Sequence, residues 1–154
     1  MSHLARLAEL GWELPPVVPP VAAYVPAVRT GDLVYTSGQL PMVGGELAYT
    51  GLVGGPVTAE QAKDLARTCA LNALAAVDAL VGLDAVVRVV KVVGFVASAP
   101  GFTAQPGVVN GASELLGEVF GDAGRHARSA VGVAALPLDA PVEVELIVEV
   151  RPLP

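Results

Sequence analysis

The sequence predicts an α+β fold, a single mixed β-sheet with two helices packed on one face. Three observations predict it. Valine-rich, strand-like runs alternate with two helical patterns, and their order reads hairpin, helix, strand, helix, two strands. No internal repeat, low-complexity tail or second composition zone divides the 154 residues. A chain of this length buries about 70% of its unfolded surface as one domain. The expected organisation is an N-terminal extension over residues 1–20 and a single domain over 21–154.

The extension begins with one or two helical turns across 2–10, where Leu4, Leu7 and Leu10 share a side. "LPPVVPP" (14–20) follows, and its four prolines forbid a helix and favour an extended connector. Strand-like runs are expected near 21–28 and 32–37. "TSGQLP" (36–41) then leads into glycine-punctuated loops through Gly44, Gly45, Gly51, Gly54 and Gly55.

The clearest helix starts at Thr58, because "TAEQ" is a capping box in which Thr58 and Gln61 satisfy each other's backbone N–H groups. Apolar residues recur at Ala62, Leu65, Ala66, Cys69, Ala73, Ala76, Val77 and Leu80, and Gly82 stops the helix. "AVVRVVKVVGFVA" (85–97) is β-branched and reads as a strand. A second helix is expected from Gln105 to Phe120; its glycines at 107, 111 and 117 weaken it, so packing has to hold it. Strands at 127–135 and 142–150 close the chain.

Composition narrows the partners. Net charge is −6, and two lysines and seven scattered arginines make no basic patch for nucleic acid. No tract approaches the roughly 18 apolar residues that a membrane span needs, and the N-terminus lacks an apolar signal core. Hydrophobic residues nevertheless reach 53%. That surplus has to be covered, and a homo-oligomeric interface is the expected cover. One cysteine excludes an internal disulfide and fits a reducing compartment, so the expected location is cytoplasmic.

Two residues stand out as candidate chemistry. Arg128 opens the lean strand "ARSAVGVAA" (127–135), flanked by side chains too small to cover it. A guanidinium in that setting suits either a bidentate grip on a carboxylate or an ordinary structural salt bridge. In the last strand Val142, Val144, Leu146, Val148 and Val150 share one face, and Glu143, Glu145, Ile147 and Glu149 share the other. Glu145 and Glu149 fit a solvated face. Glu143 lies nearest the preceding turn, and pairing of the last two strands would bring it near Arg128. His3 and His126 lack metal-ligand partners at usable spacing, Cys69 sits on an apolar helix face, and Ser37 has no nucleophile-elbow motif. Neither a metal nor a cofactor is expected.

"AYVPAVRTGDLVYTSGQLP" (23–41), "VVNGASELLGEVFG" (108–121) and "ARSAVGVAALPLDAPVEVELIVEV" (127–150) together resemble the RidA-like (reactive intermediate deaminase, YjgF-like) family across roughly residues 21–150. The resemblance implies a chorismate-mutase-like fold that assembles as a trimer around a central barrel, with ligand clefts between subunits. It implies hydrolysis of 2-imino or enamine acids to 2-keto acids and ammonia, without a cofactor. Carried over by motif, Arg128 would bind the substrate carboxylate and Glu143 would orient or activate water. Tyr24, Ser37 and Asn110 would line the cleft.

Three features depart from the family pattern. Ala130 stands where many members have Cys, and His126, preceded by Arg125, stands where Pro is usual. These two positions alter the substrate-binding rim, and the 1–20 extension would partly cover the cleft. A trimeric binder of keto acids or other small carboxylates, without turnover, is the competing expectation. The endoribonuclease or translation-inhibitor activity attached to some members sits poorly with a pI near 4.7.

Overall fold

A computed structural model describes residues 2–20 and 22–154 of the chain. It contains three helices, α1 (His3–Glu9), α2 (Ala59–Val81) and α3 (Gln105–Phe120). Its five strands are β1 (Ala27–Thr30), β2 (Leu33–Thr36), β3 (Val86–Ala97), β4 (Ala127–Val133) and β5 (Val142–Val150). One sheet holds all five in the order β1-β2-β5-β3-β4. Only β3 and β4 run parallel; the other pairs are antiparallel. Helices α2 and α3 pack against one another and onto one face of this sheet.

The helices end where their chemistry dictates. Gln61 N donates to Thr58 Oγ1 at 3.1 Å, and Thr58 N donates to Gln61 Oε1 at 3.0 Å. Gly82 takes φ +82°, which a side chain would resist, and ends α2 there. The apolar face of α2 is buried from Ala62 to Val77, but Leu80, expected on it, is exposed beside the helix end. Its many alanines let α3 come close. At Gly111 an added Cβ would collide with the carbonyl oxygen of Lys63, and at Gly94 one would collide with Val109 of α3. The glycine that weakens α3 as an isolated helix thus permits its packing.

Most elements lie within a residue or two of their expected ranges. The exception is β1, expected at 21–28 and found at Ala27–Thr30; residues 22–26 bend instead of pairing. Pro26 explains this, since it has no N–H to give a ladder. Val21, the first residue of the expected strand, and Met1 lie outside the described residues. The N-terminal extension is tied into the core. Leu7 is fully buried, His3 Nε2 donates to Val86 O at 2.9 Å, and Arg6 Nε donates to Glu118 O at 3.0 Å. Among the described residues no helix is long and apolar enough to cross a membrane.

Two glycines of α3 separate packing from propensity. Gly111→Ala is expected to lose about 1–3 kcal/mol from overpacking against Lys63. Gly117→Ala, with open space where its methyl group would sit, is expected to gain about 0.5–1 kcal/mol. Urea unfolding of both variants checks the opposite signs.

Candidate functional site

Arg128 is placed by strand register. It lies opposite Val92 in the β3–β4 ladder, and Val92 is fully buried beneath the helices. Arg128 therefore leaves the sheet on the helix side and reaches α3. Its Nη1 donates to Asn110 Oδ1 at 2.8 Å and to Ser113 Oγ at 3.2 Å, while Nη2 donates to Pro106 O at 3.3 Å. All three acceptors are neutral. Among the described residues no ion pair involves Arg128. A guanidinium has five N–H donors, so at least two remain, including that on Nε. Ser113 is one helical turn beyond Asn110 and faces the same way. Its Oγ also lies 2.8 Å from His126 Nε2. Ala130 follows Arg128 on the same face, opposite Gly94 and packed against the core.

Glu143 belongs to the other face. Its neighbours Val142 and Val144 are fully buried under the helices, so strand alternation turns Glu143 away from them. The carboxylate packs so tightly on Gly38 that an added Cβ there would overlap Oε1. This close approach explains the glycine of "TSGQ". Burial, with a smaller contribution from the charge of Glu145, pushes the Glu143 carboxyl above its ordinary value. Ser37, next to Gly38, donates from Oγ to Val25 O at 2.6 Å and so fastens the Tyr24–Pro26 segment beside it. Glu145 and Glu149 are half-buried, not fully solvated.

The last two strands do not pair with each other, contrary to expectation. β3 lies between them because it donates one edge to β4 in parallel and the other to β5. Arg128 aligns with Val92 and Leu146, whereas Glu143 aligns with Phe95 and Val131. Two strand spacings and three residues along the strand separate their Cα atoms by roughly 14 Å. Their side chains also leave opposite faces. Within one chain they form two separate clusters: Arg128, Asn110, Ala130 and His126 on one side, and Glu143, Ser37 and Tyr24 on the other.

A cavity of about 330 Å³ adjoins the second cluster. Tyr24, Gly38, Leu40 and Met42 line it, together with Pro15–Pro20 of the connector and Asn72 of α2, so the extension walls this cavity and not the sheet face that carries Glu143. Asn72 of α2 shapes its floor by donating from Nδ2 to Leu40 O and Met42 O, both at 3.0 Å. The sequence offered a signal for Asn72, a lone amide among the apolar residues of α2, and for Ser113, three residues after Asn110. Cys69 is fully buried; desolvation first, and then the charge of Glu143, push its thiol up, which leaves it a neutral core group. Among the described residues no three His, Cys, Asp or Glu side chains are grouped to hold a metal ion.

Comparison with known proteins gives a consistent picture. The family model described as Endoribonuclease L-PSP matches residues 16–150. "Protein TCP17" of Trypanosoma cruzi is 47% identical over 151 residues, covering 96% of this chain and 93% of that protein. The crystal structure of Atu1372, a protein of unknown function from Agrobacterium tumefaciens, superposes with a TM-score of 0.89 at 49% identity, covering 97% of this chain and 92% of that one. The YjgF gene product of E. coli superposes with a TM-score of 0.64 at 31% identity, covering 90% and 94%.

The buried carboxylate makes a prediction. Because folding raises the Glu143 pKa, its ionisation weakens the fold as pH rises from the ordinary carboxylate range through the raised folded value. Glu143→Gln removes that cost. The variant is expected to melt higher than the parent at neutral pH, with the gap closing below about pH 4, where both forms are uncharged. Thermal melts across pH check the sign.

Proposed function

Since the chain belongs to the Endoribonuclease L-PSP family, the YjgF/RidA family, we propose that it hydrolyses 2-imino or enamine acids to 2-keto acids and ammonia without a cofactor. The observation that carries this reading is Arg128: a half-buried guanidinium held by neutral oxygens only, with Nε and part of Nη2 left to a ligand. A carboxylate is the group that such a fork suits.

The chemistry needs little beyond positioning. Arg128 holds the carboxylate of a protonated imine and so fixes its electrophilic carbon. Glu143, a carboxylate whose burial raises its basicity, takes a proton from water as the water oxygen bonds to that carbon. The same carboxyl then returns the proton to the nitrogen; as the C–N bond breaks and ammonia leaves, it takes the proton of the new hydroxyl, the carbonyl forms, and the carboxyl passes that proton to water. The carboxylate also offsets the iminium charge while the water approaches. Tyr24, Ser37 and Asn110 line the cleft in this proposal, and Ala130 gives it more room than a cysteine would.

Because Arg128 and Glu143 leave opposite faces of the sheet, the proposal requires a second copy of the chain to bring them together. The uncovered sheet face supports such an assembly. Val28, Tyr35 and Val131 on it are 52%, 43% and 43% exposed, an apolar group that a subunit contact would cover. A homotrimer, the state that the family resemblance implies, is the assembly we propose.

A second reading, a trimeric binder of keto acids without turnover, is favoured by Ala130, which follows Arg128 on the same face where many family members carry cysteine. The ribonuclease activity in the family's description has little support here, since a net charge of −6 works against phosphate binding.

The test is to generate a 2-imino acid in place with an amino-acid oxidase and follow keto acid release against buffer alone. The chain is expected to accelerate release, and Arg128→Ala to lower kcat/KM by about 10²–10³-fold. Release no faster with the parent than with Arg128→Ala contradicts the deaminase. Binding of 2-ketobutyrate without turnover supports the binder.

A further inference from the structure

We propose that His126 and Ser113 form a positioning relay that sets the orientation of Arg128, and that this relay rather than an acidic partner holds the guanidinium ready for a carboxylate. The inference rests on the carboxylate-binding reading of Arg128 and adds the residues that make it work.

The direction of each hydrogen bond follows from the chemistry of its ends. His126 Nδ1 lies 2.6 Å from Gly124 O. A carbonyl oxygen carries no proton, so Nδ1 must be the protonated nitrogen. In the neutral imidazole Nε2 is then the acceptor, and Ser113, 2.8 Å away, must donate its hydroxyl proton to it. That fixes the rotor. The lone pairs of Ser113 Oγ are left for Arg128 Nη1, 3.2 Å away. Asn110 Oδ1 takes the other Nη1 proton at 2.8 Å. A free serine hydroxyl can point its own proton at a cation; one already committed to His126 cannot. The relay therefore makes Ser113 a dedicated acceptor and pins the Nη1 side of the guanidinium.

The choice of neutral partners has a consequence for binding. A carboxylate in place of Ser113 or Asn110 would hold Arg128 more strongly but would compete with a substrate carboxylate for the same charge. Hydroxyl and amide oxygens orient the group and leave its charge uncompensated. His126 thus acts on a ligand only through Ser113 and Arg128.

The wild-type chain carries its own control. His3 Nε2 faces Val86 O at 2.9 Å, so His3 has the opposite tautomer. Long-range ¹H–¹⁵N spectra at mildly alkaline pH are expected to show one Nδ1–H and one Nε2–H ring. Two Nε2–H rings overturn the relay without any variant being made.

Calorimetry with 2-ketobutyrate then reads its effect. Ser113→Ala and His126→Phe are each expected to weaken binding about tenfold, and the double variant to weaken it no further, because both break one chain of contacts. Ser113→Thr, which keeps the hydroxyl, is expected to retain most of the affinity. If turnover is present, KM rises in the single variants while kcat changes little. Unchanged affinity in folded Ser113→Ala, or losses that multiply in the double variant, overturn the proposal. Should the parent bind 2-ketobutyrate yet release no keto acid from imines, the deaminase reading fails and the relay stands.

Discussion

A guanidinium held by neutral oxygens keeps its charge for whatever binds next, and the rest of this site depends on that condition. Arg128 meets an amide, a hydroxyl and a main-chain carbonyl, all supplied by α3. Three surface arginines elsewhere in the chain behave differently. Arg6, Arg67 and Arg125 each pair with an acid three positions away on the chain. Such exposed pairs contribute little to stability, but they do neutralise the cation. Arg128 is half-buried and unneutralised, a costly arrangement for stability alone.

Sheet order imposes the second condition. With β3 between β4 and β5, the cationic and acidic clusters are carried on different faces and different strands. Each is built tightly: Glu143 against Gly38, Arg128 against Asn110 and Ser113. Neither has room to swing through a sheet to the other. The proposed chemistry therefore turns association of copies from a matter of stability into a requirement for function, and the exposed valines and Tyr35 on the uncovered face are where that association would be made.

Much of this was legible in the residues. The capping box at Thr58, the alternation of Val142–Val150 and the boundaries of α3 follow from local patterns, and the structure reproduces them. Arg128 and Glu143 could be picked out by type and position. What local pattern does not carry is strand partnership. Consecutive strands usually neighbour each other, and here the 127–133 and 142–150 strands do not, because α3 delivers β4 parallel to β3 and the chain must then cross to the far edge of β3. The same limit hid the partners of Ser113 and Asn72, though their residue types stood out on their helices. Their side chains matter for contacts made 15 and about 30 residues away, and no periodicity reports those. Gly111 looked like helix weakness and Gly38 stood only as a letter of "TSGQ"; in the fold each is a close approach.

The measurement that tests the central claim most directly is activity of mixed oligomers. Arg128→Ala and Glu143→Gln chains, each inactive alone, are unfolded together, refolded as an equal mixture and assayed for keto acid release. If each site takes its arginine from one copy and its glutamate from the next, random assembly leaves one site in four intact, and about a quarter of parental activity should return. No recovery from a mixture shown to contain hybrid oligomers would contradict the account.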